Sequence, residues 1–272
     1  MKVVSQNINI FNPRVYEAVT AKDAGFIQDM AKEMVANGAD AIEINLGGWR
    51  TSDDVMPWMV SQVRKVTDCP LFLSPIPSSL KDAVEADSLG KIFINCVTAD
   101  GARLDSMLNA ASCLNTSIVV LLTKKGFLPA TLDELLLLAE DVLEKAEKKG
   151  FPLERILLDP VLRPRLSMAP SGGMVNRPNA TFFAEALALI GLLREEKIGT
   201  CAAIGSLSLG MPESSRKGFE MSAARLFKGA GLDYLIMDCS NRRRIKEIKD
   251  YTDSPDIIPL GEHIQSGAWL TS

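Results

Sequence analysis

Along this chain, short β-branched and apolar runs alternate with longer stretches whose apolar residues recur at helical spacing, and the alternation repeats eight times. The run Val3 to Asn9 precedes a helical pattern from Asp23 to Asn37, where Phe26, Met30, Met34 and Val35 share a face and Gly38 closes the element. Ala41 to Leu46 follows, then a helix from Asp53 to Val66 with Asp53 as its N-cap. Pro70 to Ser74 leads to Ser79 to Ala86, and Lys91 to Asn95 leads to Gly101 to Ser112. Ser117 to Leu122 precedes a long helix from Leu132 to Lys149, capped by Thr131 and stopped at Gly150. The last three pairs are Arg155 to Asp159 with Ala180 to Glu195, Thr200 to Gly205 with Ser215 to Lys228, and Tyr234 to Met237 with Arg242 to Lys249.

Strands that alternate with helices imply a parallel sheet with crossover connections, and eight such units predict an α/β fold: a closed (β/α)8 TIM barrel, one domain over residues 1–272. An open doubly wound sheet is the alternative. It wants a glycine-rich turn after the first strand, where this chain has Ile10-Phe11-Asn12-Pro13. The Pro/Gly/Ser-rich segment from Pro160 to Asn179 suits a loop at a barrel mouth better than a domain boundary. Only that loop and a tail after about Tyr251 are left over.

Composition narrows the function. With 47% hydrophobic and 24% charged residues the chain can bury a large core, which excludes disorder as the main architecture. Thirty basic against 34 acidic side chains give a net charge of −4 and no footprint for nucleic acid. The single histidine, His263, lies in a polar stretch and reads as a solvated bystander; one imidazole excludes a multi-histidine zinc site, and no metal is expected. Five scattered cysteines without C-x-x-C spacing read as reduced, mostly buried thiols. Neither a signal-like apolar core nor an uninterrupted apolar run of about 18 residues is present, so a soluble, cytoplasmic protein is expected, with no membrane contact.

In a barrel of this kind chemistry gathers at the C-terminal ends of the strands. The polar residues there are Asn9, Asn45, Ser74, Asn95, Asp159 and Gly205-Ser206. If Asn45 points inward, strand alternation turns Glu43 inward too, and a carboxylate inside a strand must be paired or protonated. Asn9 and Asn45 are equally suited to satisfying backbone groups where strands become loops. Asn95 and Asp159 end uninterrupted apolar runs and favour function; Asp159-Pro160 is otherwise a turn. Amides and carboxylates without a metal-ligand cluster suit a flat heterocycle with donors and acceptors along its edge, such as a pterin or purine.

Four segments carry a resemblance: Gly38 to Gly48 (GADAIEINLGG), Ile94-Asn95, Leu158-Asp159-Pro160, and Ile204 to Pro212 (IGSLSLGMP). In order and spacing they resemble the motifs of pterin-binding barrels, and the chain is most similar to the methyltetrahydrofolate:corrinoid protein methyltransferases, enzymes of one-carbon metabolism. The resemblance implies a pterin in the barrel mouth, held by an aspartate after the third strand, an asparagine after the fourth and an aspartate after the sixth. Asn95 and Asp159 match the last two; Ser74 stands where the first aspartate is expected. The family's seventh-strand signature carries an asparagine beside the methylated ring nitrogen, and this chain has Ser206 there.

The implied reaction moves a methyl group between 5-methyltetrahydrofolate, or tetrahydrofolate in reverse, and the cobalt of a corrinoid. Ser206 is the candidate catalytic contact, and Asn95, Asp159, Ser74, Gly205, Ser206, Asn9 and Asn45 are the candidate binding residues. One barrel leaves no room for a corrinoid domain, so the cobalamin is expected on a separate corrinoid-binding protein; the resemblance further implies a homodimer. The Leu132 to Leu138 run suits either a subunit interface or a well-buried outer helix. Two rivals stand beside this reading. A dihydropteroate synthase would need cationic groups at the mouth, which Lys124, Lys125, Arg163, Arg165, Arg216 and Lys217 superficially supply. The other is a pterin-binding protein without catalysis.

Overall fold

The computed structural model describes residues 1–47, 54–74, 78–163, 166–168, 174–176 and 180–252. Among the described residues ten strands form: β1 (Lys2–Asn9), β2 (Ala41–Asn45), β3 (Leu71–Ser74), β4 (Ile92–Thr98), β5 (Ser117–Leu121), β6 (Ile156–Asp159), β7 (Leu166–Met168), β8 (Met174–Asn176), β9 (Gly199–Ala203) and β10 (Tyr234–Met237). Eight of them close into a parallel barrel in the order β1-β10-β9-β6-β5-β4-β3-β2, as the eight-unit alternation requires. The open-sheet alternative is thereby ruled out. β7 and β8 pair antiparallel as a small hairpin inside the 160–179 segment, which contains strand structure that its composition does not show.

The helices are α1 (Pro13–Thr20), α2 (Ala24–Ala36), α3 (Val55–Arg64), α4 (Leu80–Glu85), α5 (Gly101–Cys113), α6 (Leu132–Lys148), α7 (Ala180–Glu195), α8 (Gly205–Ser208), α9 (Glu213–Ala230) and α10 (Arg242–Asp250). The sequence pattern passes over α1, although Asn12 caps it by accepting from the Arg14 amide and Pro13 occupies its first turn. The proposed cap Asp53 lies outside the described residues, as does His263; α3 begins after Asp54, which makes no side-chain cap bond. Thr131 does cap α6, accepting from the Glu134 amide. Gly38 takes a φ of 106° where α2 ends, a conformation that favours glycine.

Strand alternation sorts the core into two shells. Inside the barrel Val4, Ala41, Phe72, Val119, Leu157, Cys201 and Ile236 pack together. Phe72 and Phe93 stack at 4.4 Å between ring centroids, with Tyr234 tilted against both, so three aromatics near the N-terminal strand ends floor the barrel. Three outer clusters fill the space between strands and helices. Within the leucine run of α6, Leu135 and Leu138 are buried in this layer while Leu137 is 66% exposed. Polar clamps tie the barrel's N-terminal face: Asp40 accepts from the Val3 amide and Lys249, and Asp233 accepts from the Thr200 amide.

Two strand ends differ from the sequence pattern. β9 stops at Ala203, and Gly205-Ser206, expected at its end, instead open the single turn α8. β4 does not end at Asn95 but runs to Thr98, with its pairing to β5 slipping by one residue between Asn95 and Val97.

Candidate functional site

The mouth is built above the apolar barrel interior, where the side chains of successive strands turn polar. On β2, Ala41, Glu43 and Asn45 share the inward face. Glu43 Oε1 accepts from Asn45 Nδ2 at 3.2 Å and from Asn95 Nδ2, across on β4, at 3.0 Å. Burial raises the Glu43 carboxyl to about 7, against the partial opposition of those two amide donors. The inward carboxylate read from alternation is therefore hydrogen-bonded by two amides and exchanges its proton near pH 7.

Asp159, the last residue of β6, is buried. Its Oδ1 accepts from the Val161 amide at 2.7 Å, and burial lifts its carboxyl to about 7. Among the described residues Asp159 Oδ2 and Asn95 Oδ1 make no hydrogen bond, which leaves an acceptor on each. The turn that follows holds Val161 at φ 59°, a left-handed conformation rare for a β-branched residue. The Cys96 and Cys201 thiols stand close enough to feel both carboxylates. Burial first and those charges second push Cys96 up to about 12 and Cys201 well above its ordinary value, so neither supplies a thiolate nucleophile.

The other sequence candidates fall into place around this pair. Asn9, Asn45 and Ser74 are neighbours in register across β1, β2 and β3. Asn9 Oδ1 accepts from the Phe11 amide at 3.0 Å, and Asn45 Oδ1 accepts from the Gly47 amide at 2.8 Å. Both asparagines thus secure a strand-to-loop turn, and Asn45 also serves Glu43. The Ser74 hydroxyl, half-buried, has no hydrogen bond among the described residues. Gly205 and Ser206 sit on α8, where Ser206 is exposed and makes no hydrogen bond to the carboxylate pair.

Sequence reasoning passed over Asn7. Its Nδ2 donates to Asp238 Oδ1 at 2.6 Å, and its Oδ1 accepts from the Cys239 amide and from Ser5 Oγ, each at 2.8 Å. Burial works against the Asp238 charge, but Asn7 and the Ser240 amide and hydroxyl hold the carboxyl below the usual range. The polar triplet Ser5-Gln6-Asn7, interrupting an apolar strand, was the available signal. Three carboxylates near the C-terminal strand ends are thus tuned apart, Asp238 ionised and Glu43 and Asp159 near neutrality.

The cations that could serve an anion site are mostly engaged elsewhere. Lys124 pairs with Asp141 at 2.7 Å, Arg163 donates to the Pro129 carbonyl and lies over the Phe182 ring, and Arg216 donates to the Met211 carbonyl. Arg165 lies outside the described residues. No cysteine is disulfide-bonded; Cys201 and Cys239 are buried, while Cys69 and Cys96 are half-buried and Cys113 is exposed, fewer buried thiols than expected. Among the described residues no cluster of histidine, cysteine or carboxylate side chains is placed to hold a metal ion, and no helix is long and apolar enough to cross a membrane.

No protein-family model matches the chain. A methylcorrinoid:tetrahydrofolate methyltransferase from Eubacterium limosum is 26% identical over 251 residues, covering 89% of this chain and 86% of that protein. The resemblance carried by the motifs holds over most of the chain. Among solved structures, a dihydropteroate synthase from Xanthomonas albilineans in complex with 7,8-dihydropteroate superposes with a TM-score of 0.63 at 17% identity, covering 91% of each chain. Another from Coxiella burnetii, in complex with pteroic acid, gives a TM-score of 0.60 at 16% identity, again covering 91% of each. At these identities the structural likeness speaks to the barrel fold alone.

Proposed function

We propose that this chain is an enzyme that moves a methyl group between 5-methyltetrahydrofolate and the cobalt of a corrinoid carried on a separate protein. The observation that carries the reading is the arrangement at the barrel mouth. Asn95, beside Glu43, and Asp159, across the barrel on β6, lie on strands with apolar runs before them, each with an acceptor oxygen that makes no hydrogen bond among the described residues. An ionised carboxylate there accepts two hydrogens from an N–H and NH2 pair on a pterin edge, and the Asn95 oxygen accepts a third. Asn9, Asn45 and Ser74 line the adjoining wall. Gly205 and Ser206 bound the sector assigned to the reacting nitrogen. The relative from Eubacterium limosum, named for this reaction, matches over 89% of this chain.

The corrinoid enters this reading as a substrate whose reduced cobalt supplies the electron pair that takes the methyl group. The chain's own part is to hold the folate in line and keep its ring nitrogen hydrogen-bonded as the methyl leaves. Phe11, Phe127, Leu128 and Leu209, on segments following β1, β5 and α8, are 77%, 40%, 50% and 61% exposed. Apolar side chains on the mouth side of a barrel suit the docking of a protein that brings the corrinoid.

Two measurements test the proposal. Methyl exchange between 5-methyltetrahydrofolate and cob(I)alamin, followed by absorbance, is expected to turn over; no turnover alongside synthesis of dihydropteroate would reassign the site. Asp159→Ala is expected to abolish folate binding in a calorimetric titration, since it removes two hydrogen-bond acceptors from a buried edge, and unchanged affinity would overturn the assignment.

A further inference from the structure

The pairing of β1 with β2 slips between Ser5 and Ile8, so one extra residue of β1 faces Glu43 of β2. Irregularities of this kind re-aim side chains, commonly beside active sites. Here the two polar residues inside the slip diverge. Asn7 turns to Asp238 and the Cys239 amide, as described above. Gln6, two residues after the inward Val4, is half-buried, and its carboxamide end lies against Gly205. A methyl group placed on Gly205 would stand 3.2 Å from Gln6 Nε2 and 3.4 Å from Oε1. Gly205 takes no left-handed conformation, and a Cβ there would press the Gln6 amide back by a few tenths of an ångström. Among the described residues the Gln6 side chain makes no hydrogen bond. A half-buried carboxamide with both its donor and its acceptor unfilled, beside Ser206 and above the barrel interior, is dressed for a ligand and not for the fold.

We propose that Gln6 is a catalytic contact of the methyl transfer, its carbonyl oxygen accepting a hydrogen bond from the reacting folate nitrogen in its protonated form. This inference rests on the function proposed above. When the N–CH3 bond breaks, its electron pair stays on nitrogen while the new carbon–cobalt bond uses the pair supplied by reduced cobalt. The departing amine is a poor leaving group unless that nitrogen carries a proton, taken from solvent and kept through the step. An acceptor aimed at the N–H favours the protonated form, and the effect grows where water is excluded. The Gln6 oxygen is neutral, so it stabilises the cation without adding a charge beside Glu43 and Asp159. Ser206, exposed on α8, offers only a short hydroxyl from the solvent side.

The test uses the full chain as wild type, Gln6→Ala, Gln6→Glu and Gly205→Ala. Single-turnover methyl transfer from 5-methyltetrahydrofolate to cob(I)alamin is followed by absorbance from pH 5 to 9, and the folate Kd is measured by calorimetry. Gln6→Ala is expected to slow transfer about 10- to 100-fold, with the Kd changed less than about threefold. Gln6→Glu should recover part of the rate and move the pH profile to higher pH, because a carboxylate holds the nitrogen's proton more strongly; a packing role would not move that profile. Gly205→Ala, which crowds the amide without altering it, should slow transfer in the same direction. Wild-type rates in Gln6→Ala, or a rate loss matched by lost folate affinity, would overturn the role of Gln6 while leaving the methyltransferase reading intact. A wild-type protein that binds no folate and transfers no methyl group would overturn both.

Discussion

Glu43→Gln separates the cost of a buried charge from the value of its hydrogen bonds. In the folded protein one oxygen, Oε1, takes both amide donors, so a glutamine in the same rotamer keeps both bonds and gives up only the ionisable group. The carboxyl is raised from 4.5 to about 7, chiefly by burial. The folded state therefore holds the proton more tightly than the unfolded chain. Glu43's contribution to stability is full below about pH 4.5 and is lost as the pH rises to about 7, beyond which the loss is complete. At 1.36 kcal/mol for each pH unit, the wild type should lose about 2 to 3 kcal/mol through this group between pH 5 and pH 8. The variant loses nothing there. Urea denaturation should accordingly find the two proteins within about 1 kcal/mol at pH 5, and the variant more stable by about 2 to 3 kcal/mol at pH 8. In thermal melts that gap corresponds to roughly 5 to 10 °C for a chain of this size. Parallel stability curves for the two proteins, or a wild type that is the more stable at pH 8, would refute the picture of a desolvated carboxyl held near neutrality.

Asp159 leads to a pH-dependent affinity. Its carboxyl sits at about 7 without ligand, and a pterin edge that donates two hydrogens requires the ionised form, so the folate affinity should fall about tenfold per unit of pH below 7 and level off above it. Calorimetry from pH 5.5 to 8.5 checks this, and an affinity flat across that range would contradict it. On the opposite face of the barrel, Asp87 is fully buried against Arg64 and also accepts from the Lys91 amide, while Arg64 donates to the Thr67 and Cys69 carbonyls. Asp87→Ala strands the guanidinium and is expected to cost about 3 to 5 kcal/mol by urea denaturation, with the folate Kd of the folded protein unchanged; a loss below 1 kcal/mol would show that water reaches Arg64.

The barrel was legible because a parallel strand buried on both faces is a short continuous apolar run, and Leu71-Phe72-Leu73, Ile92-Phe93-Ile94, Ile118-Val119-Val120 and Ile156-Leu157-Leu158 recur between helical patterns. Glu43 was legible for the same reason in reverse: period-two alternation fixed its direction once Asn45 was placed, and burial fixed its chemistry. What stayed hidden was set by geometry that periodicity does not encode. The run Ala202-Ala203-Ile204 reads equally well as strand or as the approach to a turn, so the start of α8 at Gly205 moved Ser206 off the strand end and onto an exposed helical turn. Three-residue strands such as β7 and β8 are too short to show alternation at all. The slips in β1 and β4 are one-residue events, invisible in composition, yet they decide where Gln6, Asn7 and Asn95 point. A barrel mouth is where such departures concentrate, because the strands below share one apolar rule while each strand end answers to its own ligand contact or turn. The replaced positions Ser74 and Ser206 belong with this. In the proposed reading, a serine at a site expecting aspartate or asparagine shifts the work to other polar groups of the mouth: Glu43, which alternation alone turns inward, and Gln6, which became a candidate only once the slip in β1 had placed it against Gly205.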